Sequence, residues 1–208
     1  TNPSAVASWA ATLPHGSNRD LCLEKVFGSW AAADPDAAID FARRNLAGMD
    51  LTVAAVSIAG SMAGESPESA VAALSLITEP LARSSVMESI VKNSAAENPA
   101  RAAQWVLASK DPAERRVAIQ ALVLEWGAND PEAASAWIDS NLSAEAKAAA
   151  AAGLISVWGP ISPRAAAEWL AGRRNEIDYE LLGENLARDW ALVDPKAAAG
   201  WALAEQEN

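Results

Sequence analysis

The chain has 208 residues, with 16 Lys and Arg against 27 Asp and Glu, giving a formal net charge of −11. That excess of acid disfavours nucleic acid and anionic membrane as partners, because both are held by Lys and Arg that neutralise phosphates. Hydrophobic residues make up 51%, yet the longest interior uncharged run, residues 148–163, is interrupted by Gly153, Gly159 and Pro160, so no membrane insertion is expected.

Proline sets the frame. Pro3, Pro35, Pro67, Pro99, Pro131, Pro163 and Pro195 recur every 32 residues without insertion or deletion. Each follows a side chain that accepts hydrogen bonds: Asn2, Asp34, Ser66, Asn98, Asp130, Ser162 or Asp194. An acceptor followed by Pro, whose missing N–H costs nothing at the first helical position, marks a helix start. With Pro as position 1, the repeats are 3–34, 35–66, 67–98, 99–130, 131–162 and 163–194, followed by a terminal helix 195–208.

In the first repeat a helix A carries Val6 and Trp9 at positions 4 and 7, Pro14-His15-Gly16 breaks it, and a helix B carries Cys22, Val26 and Trp30 at positions 20, 24 and 28. The second has Ala38 and Phe41, a break at Gly48 and Asp50, then Ala54, Ile58 and Met62. The third has Ala70 and Ala73, breaks at Glu79-Pro80, and continues with Val86, Ile90 and Ser94. The fourth has Ala102 and Trp105, Asp111-Pro112, then Ala118, Leu122 and Trp126. The fifth has Ala134 and Trp137, a cap at Ser143, then Ala150, Leu154 and Trp158. The sixth has Ala166 and Trp169, a break at Asn175, then Leu182, Leu186 and Trp190. The last helix carries Ala198 and Trp201 and ends in Glu205-Gln206-Glu207-Asn208, a polar run suited to capping a stack.

The apolar positions of each helix fall on one stripe, so every repeat is predicted to be an αα-hairpin with one face to bury. A hairpin of this size cannot bury that face alone and must stack on its neighbours, which predicts an all-α solenoid of six 32-residue repeats plus a C-terminal capping helix in a single domain, 1–208. The opening Thr1-Asn2-Pro3 lies on a repeat boundary without an initiator Met, which points to a processed chain or part of a longer one.

The run Asn129-Asp130-Pro131-Glu132-Ala133-Ala134-Ser135-Ala136-Trp137 resembles the junction of tetratricopeptide-like repeats, with Asp-Pro at the boundary and Trp six residues after Pro. Similar junctions lead from Pro35 to Phe41, Pro99 to Trp105, Pro163 to Trp169 and Pro195 to Trp201. The family's Leu-Gly pair after its Trp is absent, Ser140-Asn141 following Trp137 and Gly172-Arg173 following Trp169, and the period is 32. The resemblance implies a right-handed superhelix whose A helices line a concave groove. Asp36, Asp40, Arg43, Gln104, Glu132, Asp139, Arg164, Glu168 and Lys196, on the polar side of helix A, would then face that groove.

Function is read as a non-catalytic module that binds a protein or peptide. Two other readings compete. Trp at position 28 and Trp at position 7 of the next repeat lie 11 residues apart, close enough for a core ladder of rings. Rings left open on the surface would instead form a glycan-binding platform. The third reading is an α/α-toroid glycoside hydrolase, which needs two carboxylates in opposed environments, and the acids here recur in repeat registers as on a wet helix face.

One His and one Cys do not make a His/Cys metal site, and no GxxxxGK or GxGxxG is present, so no metal or cofactor is expected. His15 reads as an exposed turn residue and Cys22 as a small core residue with no internal disulfide partner. Residues 49–77 are unusually small and apolar, which would suit a tighter turn of the stack or a patch for self-association, to be separated by the exposure of Leu51, Val53, Leu74 and Leu76. Gly60 and Gly64 would allow close backbone approach, and Asn141-Leu142-Ser143 is a weak glycosylation match. A soluble chain is expected, cytoplasmic or exported as part of a longer one.

Overall fold

The structure is a computed structural model that describes residues 2–63 and 65–206. Among the described residues it is all helical, without strands. The helices are α1 (Pro3–Ala10), α2 (Ser17–Ala33), α3 (Pro35–Asn45), α4 (Gly48–Met62), α5 (Pro67–Leu74), α6 (Pro80–Glu97), α7 (Pro99–Ala108), α8 (Pro112–Asn129), α9 (Pro131–Asn141), α10 (Ala144–Trp158), α11 (Pro163–Ala171), α12 (Tyr179–Val193) and α13 (Pro195–Gln206). Odd-numbered helices are the A helices of the sequence, and even-numbered ones the B helices.

All seven repeat prolines open a helix. The side chains of Asn2, Asp34, Ser66, Asn98, Asp130 and Asp194 each accept from the backbone N–H three residues on. Ser162 makes no such bond. Even helices begin where the breaks were predicted, except α12. Gly16, with φ 143°, supplies the turn into α2 that a side chain would strain. Asn175 does not start α12; the turn runs on, and Asp178 caps the helix by accepting from Leu181 N–H.

The chain forms two compact units, Thr1–Ala121 and Leu122–Asn208, divided inside α8. In the first, α3 packs on α5 and α5 on α7, while α2 packs on α4 and α4 on α6. In the second, α10 packs on α12, α9 and α11 lie against α10, and α11 and α13 lie against α12. Like therefore neighbours like in the first unit, and the second contains the same hairpin pairings.

Small residues set the interhelix spacing. Position 4 of the A helices is buried Ala from Ala38 through Ala198, and position 8 is buried in Ala10, Ala42, Leu74, Val106, Ile138 and Leu170. At position 24 of the B helices, Ile58, Leu122, Leu154 and Leu186 are buried, and Val26 and Ile90 half-buried. A fully buried aliphatic side chain contributes roughly 1.5–3 kcal/mol. Cys22, expected in the core, is half-buried, as is Val86 in the same register.

The apolar stretch 49–77 is taken up in packing. Leu74, Leu76 and Ile77 are core, Leu51 and Val53 are half-buried, and Met49 is exposed. Its small residues bring α4 close to α2: Ser61 Oγ donates to the Gly28 carbonyl at 2.9 Å, Ser57 Oγ donates to the Glu24 carbonyl, and Ser57 Oγ lies 3.1 Å from where a Gly28 side chain would begin. Gly64, Thr1, Glu207 and Asn208 lie outside the described residues.

The predicted ring contacts form between position 28 and the next position 7. Ring centroids are 5.3 Å apart for Trp30 and Phe41, 6.3 Å for Trp126 and Trp137, 6.2 Å for Trp158 and Trp169, and 6.0 Å for Trp190 and Trp201. Where Met62, Ala73 and Ser94 interrupt the series, Trp105 is fully buried and its Nε1–H donates to the Ala63 carbonyl at 2.8 Å.

A second repeated device uses arginine at position 17. Arg19, Arg83 and Arg115 each donate to the carbonyl six residues earlier, at Leu13, Ile77 and Ser109, tying helix B back to the end of helix A. Arg19 and Arg83 also pair with the acid at position 16 of the following repeat, Asp50 and Glu114. One guanidinium thus closes a turn and joins two repeats.

Candidate functional site

The predicted groove residues are distributed over both units. On α3, Asp36, Asp40 and Arg43 are exposed, and Asp40 pairs with Arg43 at 3.5 Å and Arg44 at 3.2 Å. Such exposed pairs contribute little. Gln104 is exposed on α7, with α5 between its helix and α3. In the second unit Glu132 on α9, Arg164 and Glu168 on α11, and Lys196 on α13 are exposed.

Asp139 is half-buried and engaged. It accepts from Arg173 Nε at 2.8 Å and forms an ion pair with Nη2, while Arg173 Nη1 donates to the Trp169 carbonyl at 2.7 Å. The Arg173 guanidinium carbon lies 4.3 Å from the centroid of the Trp169 ring. A cation is thus stacked on a position-7 indole and locked there by a carboxylate from the preceding repeat.

Arg164 and Glu168 do come together. They border a cleft of about 550 Å³ lined by Ala167, Ala171, Ala197, Gly200, Trp190, Trp201 and Glu205. Small residues on α11 and α13 open this space, and the paired rings of Trp190 and Trp201 form its apolar part. Among the described residues, neither Arg164 nor Glu168 makes a side-chain hydrogen bond or ion pair. A cleft with an aromatic wall and few convergent polar groups has the make-up of a ligand site. Trp190, Trp201 and Glu205 were not predicted for it; the Trp registers were visible, but their proximity to the polar face was not.

Glu205 is fixed at one end of the cleft, accepting from Arg174 and from the Tyr179 hydroxyl, with the Arg174 guanidinium carbon 4.0 Å from the centroid of the Tyr179 ring. Burial, then the hydrogen bond and charge of Glu205, push the Tyr179 phenol up to about 12, against the opposing pull of Arg174. An unfolded phenol ionises near about 10, so the folded chain holds the proton more tightly. The stability this gives is complete below about pH 10 and is lost as pH rises towards about 12. Because the chain has one Tyr, an ultraviolet difference titration should show phenolate forming near pH about 12, and earlier in Glu205→Ala. Ionisation near about 10 in both proteins would contradict this coupling.

A second cleft, of about 290 Å³, lies in the first unit beside Gly60, Ala63, Ile90, Asn93, Ser94, Glu97, Asn98 and Arg101. It lies beside Ser94, which stands where four other repeats have Trp. The surface open to aromatic stacking is small: of nine Trp residues only Trp9 is exposed, at 56%, and the rest are buried or half-buried. His15 lies exposed in its turn. Among the described residues there is no group of three or more His, Cys, Asp or Glu able to hold a metal, and no helix is long and apolar enough to cross a membrane.

Comparison of the chain with protein-family models, curated proteins and solved structures finds no match in any of the three.

Proposed function

We propose that the chain is a non-catalytic, tetratricopeptide-like module of six 32-residue repeats and a closing helix that binds a protein or peptide segment on the polar side of its A helices. The unbroken period supports the solenoid, as stacking of like units requires. The cleft between α11 and α13 carries the binding reading: an aromatic wall, four small residues and two charges of opposite sign, neither in an ion pair among the described residues, stand together on that polar side. Such a surface suits a side chain anchored by its apolar body and oriented by its charge.

Peptides selected from a random library against the chain should lose at least about tenfold in affinity with the double reversal Arg164→Glu and Glu168→Lys, as loss of oriented polar contacts implies. The same reversal on the exposed face of α12, Glu184→Lys with Arg188→Glu, should leave affinity within about twofold. Equal losses from both pairs, or a loss confined to α12, would contradict the reading.

A further inference from the structure

We infer that the α11–α13 cleft takes an arginine side chain of the bound peptide, its guanidinium stacked on Trp201 and paired with Glu168; this rests on the peptide-binding reading above. The chain carries an internal template for that contact. Trp169 and Trp201 occupy the same register, 32 residues apart. On Trp169 lies Arg173, four residues on, held by Asp139. At Trp201 the residue four on is Glu205, and the residue in the register of Asp139 is Ala171. Both parts of the intramolecular clamp are therefore replaced, one by a carboxylate and one by a methyl group, and both replacements line the cleft.

The charges of the cleft agree with this occupant. Glu168 stands in the register where the preceding repeat has Ala136, and supplies an exposed carboxylate to the cleft that Trp201 also lines. Glu205 adds a second carboxylate, already shared with Arg174 and Tyr179. A planar guanidinium can stack on an indole and donate sideways to a carboxylate at once, as Arg173 does, whereas an ammonium offers no planar face to the ring. Arg164, one turn before Glu168 and free of any ion pair among the described residues, stands ready for an acidic residue of the same peptide. The chain's net charge of −11 favours the approach of a basic segment.

The test uses peptides selected on the whole chain, each resynthesised with citrulline for arginine, which keeps the shape and removes the charge. The expected result is that binders contain arginine, that citrulline weakens them by about tenfold, and that this penalty shrinks to about twofold or less in Glu168→Gln, whose exposed side chain leaves the fold intact. Binders that tolerate citrulline, or a penalty unchanged in Glu168→Gln, would overturn the arginine site while the peptide-binding reading stands. Failure of the library to yield any binder would overturn both.

Discussion

Replacing Trp105 by alanine is expected to lower the free energy of unfolding by about 3–5 kcal/mol, the cost of emptying a large buried aromatic site. Trp105 is 0% exposed and stands where the ring ladder is interrupted by Met62, Ala73 and Ser94. Its junction has Ser94 where four others have the partnering Trp, and its N–H donates to the Ala63 carbonyl. No neighbouring ring is available to collapse into the gap. Trp105→Phe should keep most of the packing but abandon that carbonyl, costing about 1–3 kcal/mol. Trp158→Phe provides the contrast, because the buried Trp158 N–H has no acceptor among the described residues, so its removal breaks no hydrogen bond seen there. Urea unfolding of the whole chain should rank Trp105→Ala, Trp105→Phe and Trp158→Phe in that descending order of cost. A Trp105→Ala penalty below about 1 kcal/mol would show that the site relaxes freely.

Asp50→Ala should cost about 3 kcal/mol, the lower end for removing one partner from a buried ion pair. Asp50 and Arg19 keep only 10% and 11% of their side-chain surface exposed. Removing the carboxylate strands a guanidinium that cannot reach water without leaving the Leu13 carbonyl it also serves. Arg19→Ala should cost a comparable amount, since it leaves both Asp50 and that carbonyl without their donor. The double variant should be less destabilised than the sum of the two by about 1–3 kcal/mol, because neither charge is then left alone. Additive losses in denaturant unfolding would mean that the pair is not coupled. Arg44→Ala, which breaks an exposed pair with Asp40, serves as the control and should cost within about 0.5 kcal/mol.

The local structure was legible because proline and its acceptor act within one turn. Every odd-numbered helix begins at its predicted Pro, and the side-chain caps follow from residues adjacent in sequence. The ring pairs were legible too, since residues 11 apart across a short turn have little freedom to separate. The late start of α12 was not, because Asn175 and Asp178 are both competent acceptors and the length of the turn decides between them. The arginine clamps were missed although a signal existed. Basic residues recur at position 17 in Arg19, Arg83, Arg115 and Lys147, with acids at position 16 in Asp50 and Glu114, but the paired residues stand 31 apart, and no local pattern links them.

The candidate site was legible only in outline. That Arg164, Glu168 and Lys196 would be exposed follows from their place opposite an apolar stripe. That Arg164 and Glu168 share a cleft with Trp190, Trp201 and Glu205 depends on the packing of α11 and α13 against α12. Asp139, expected on the same open face, is drawn into the Arg173 clamp, a long-range pairing between residues 34 apart that no local pattern announces.

The most direct measurement is photo-crosslinking of a library-selected peptide carrying one benzophenone, with the adducts mapped by mass spectrometry. Adducts are expected on α11 and α13, within residues 164–171 and 197–205, and their yield should fall with the double reversal at Arg164 and Glu168. Adducts concentrated on α10, on α12 away from Trp190, or around the exposed Trp9, with a yield indifferent to that reversal, would contradict the claim that the polar side of the A helices is the binding surface.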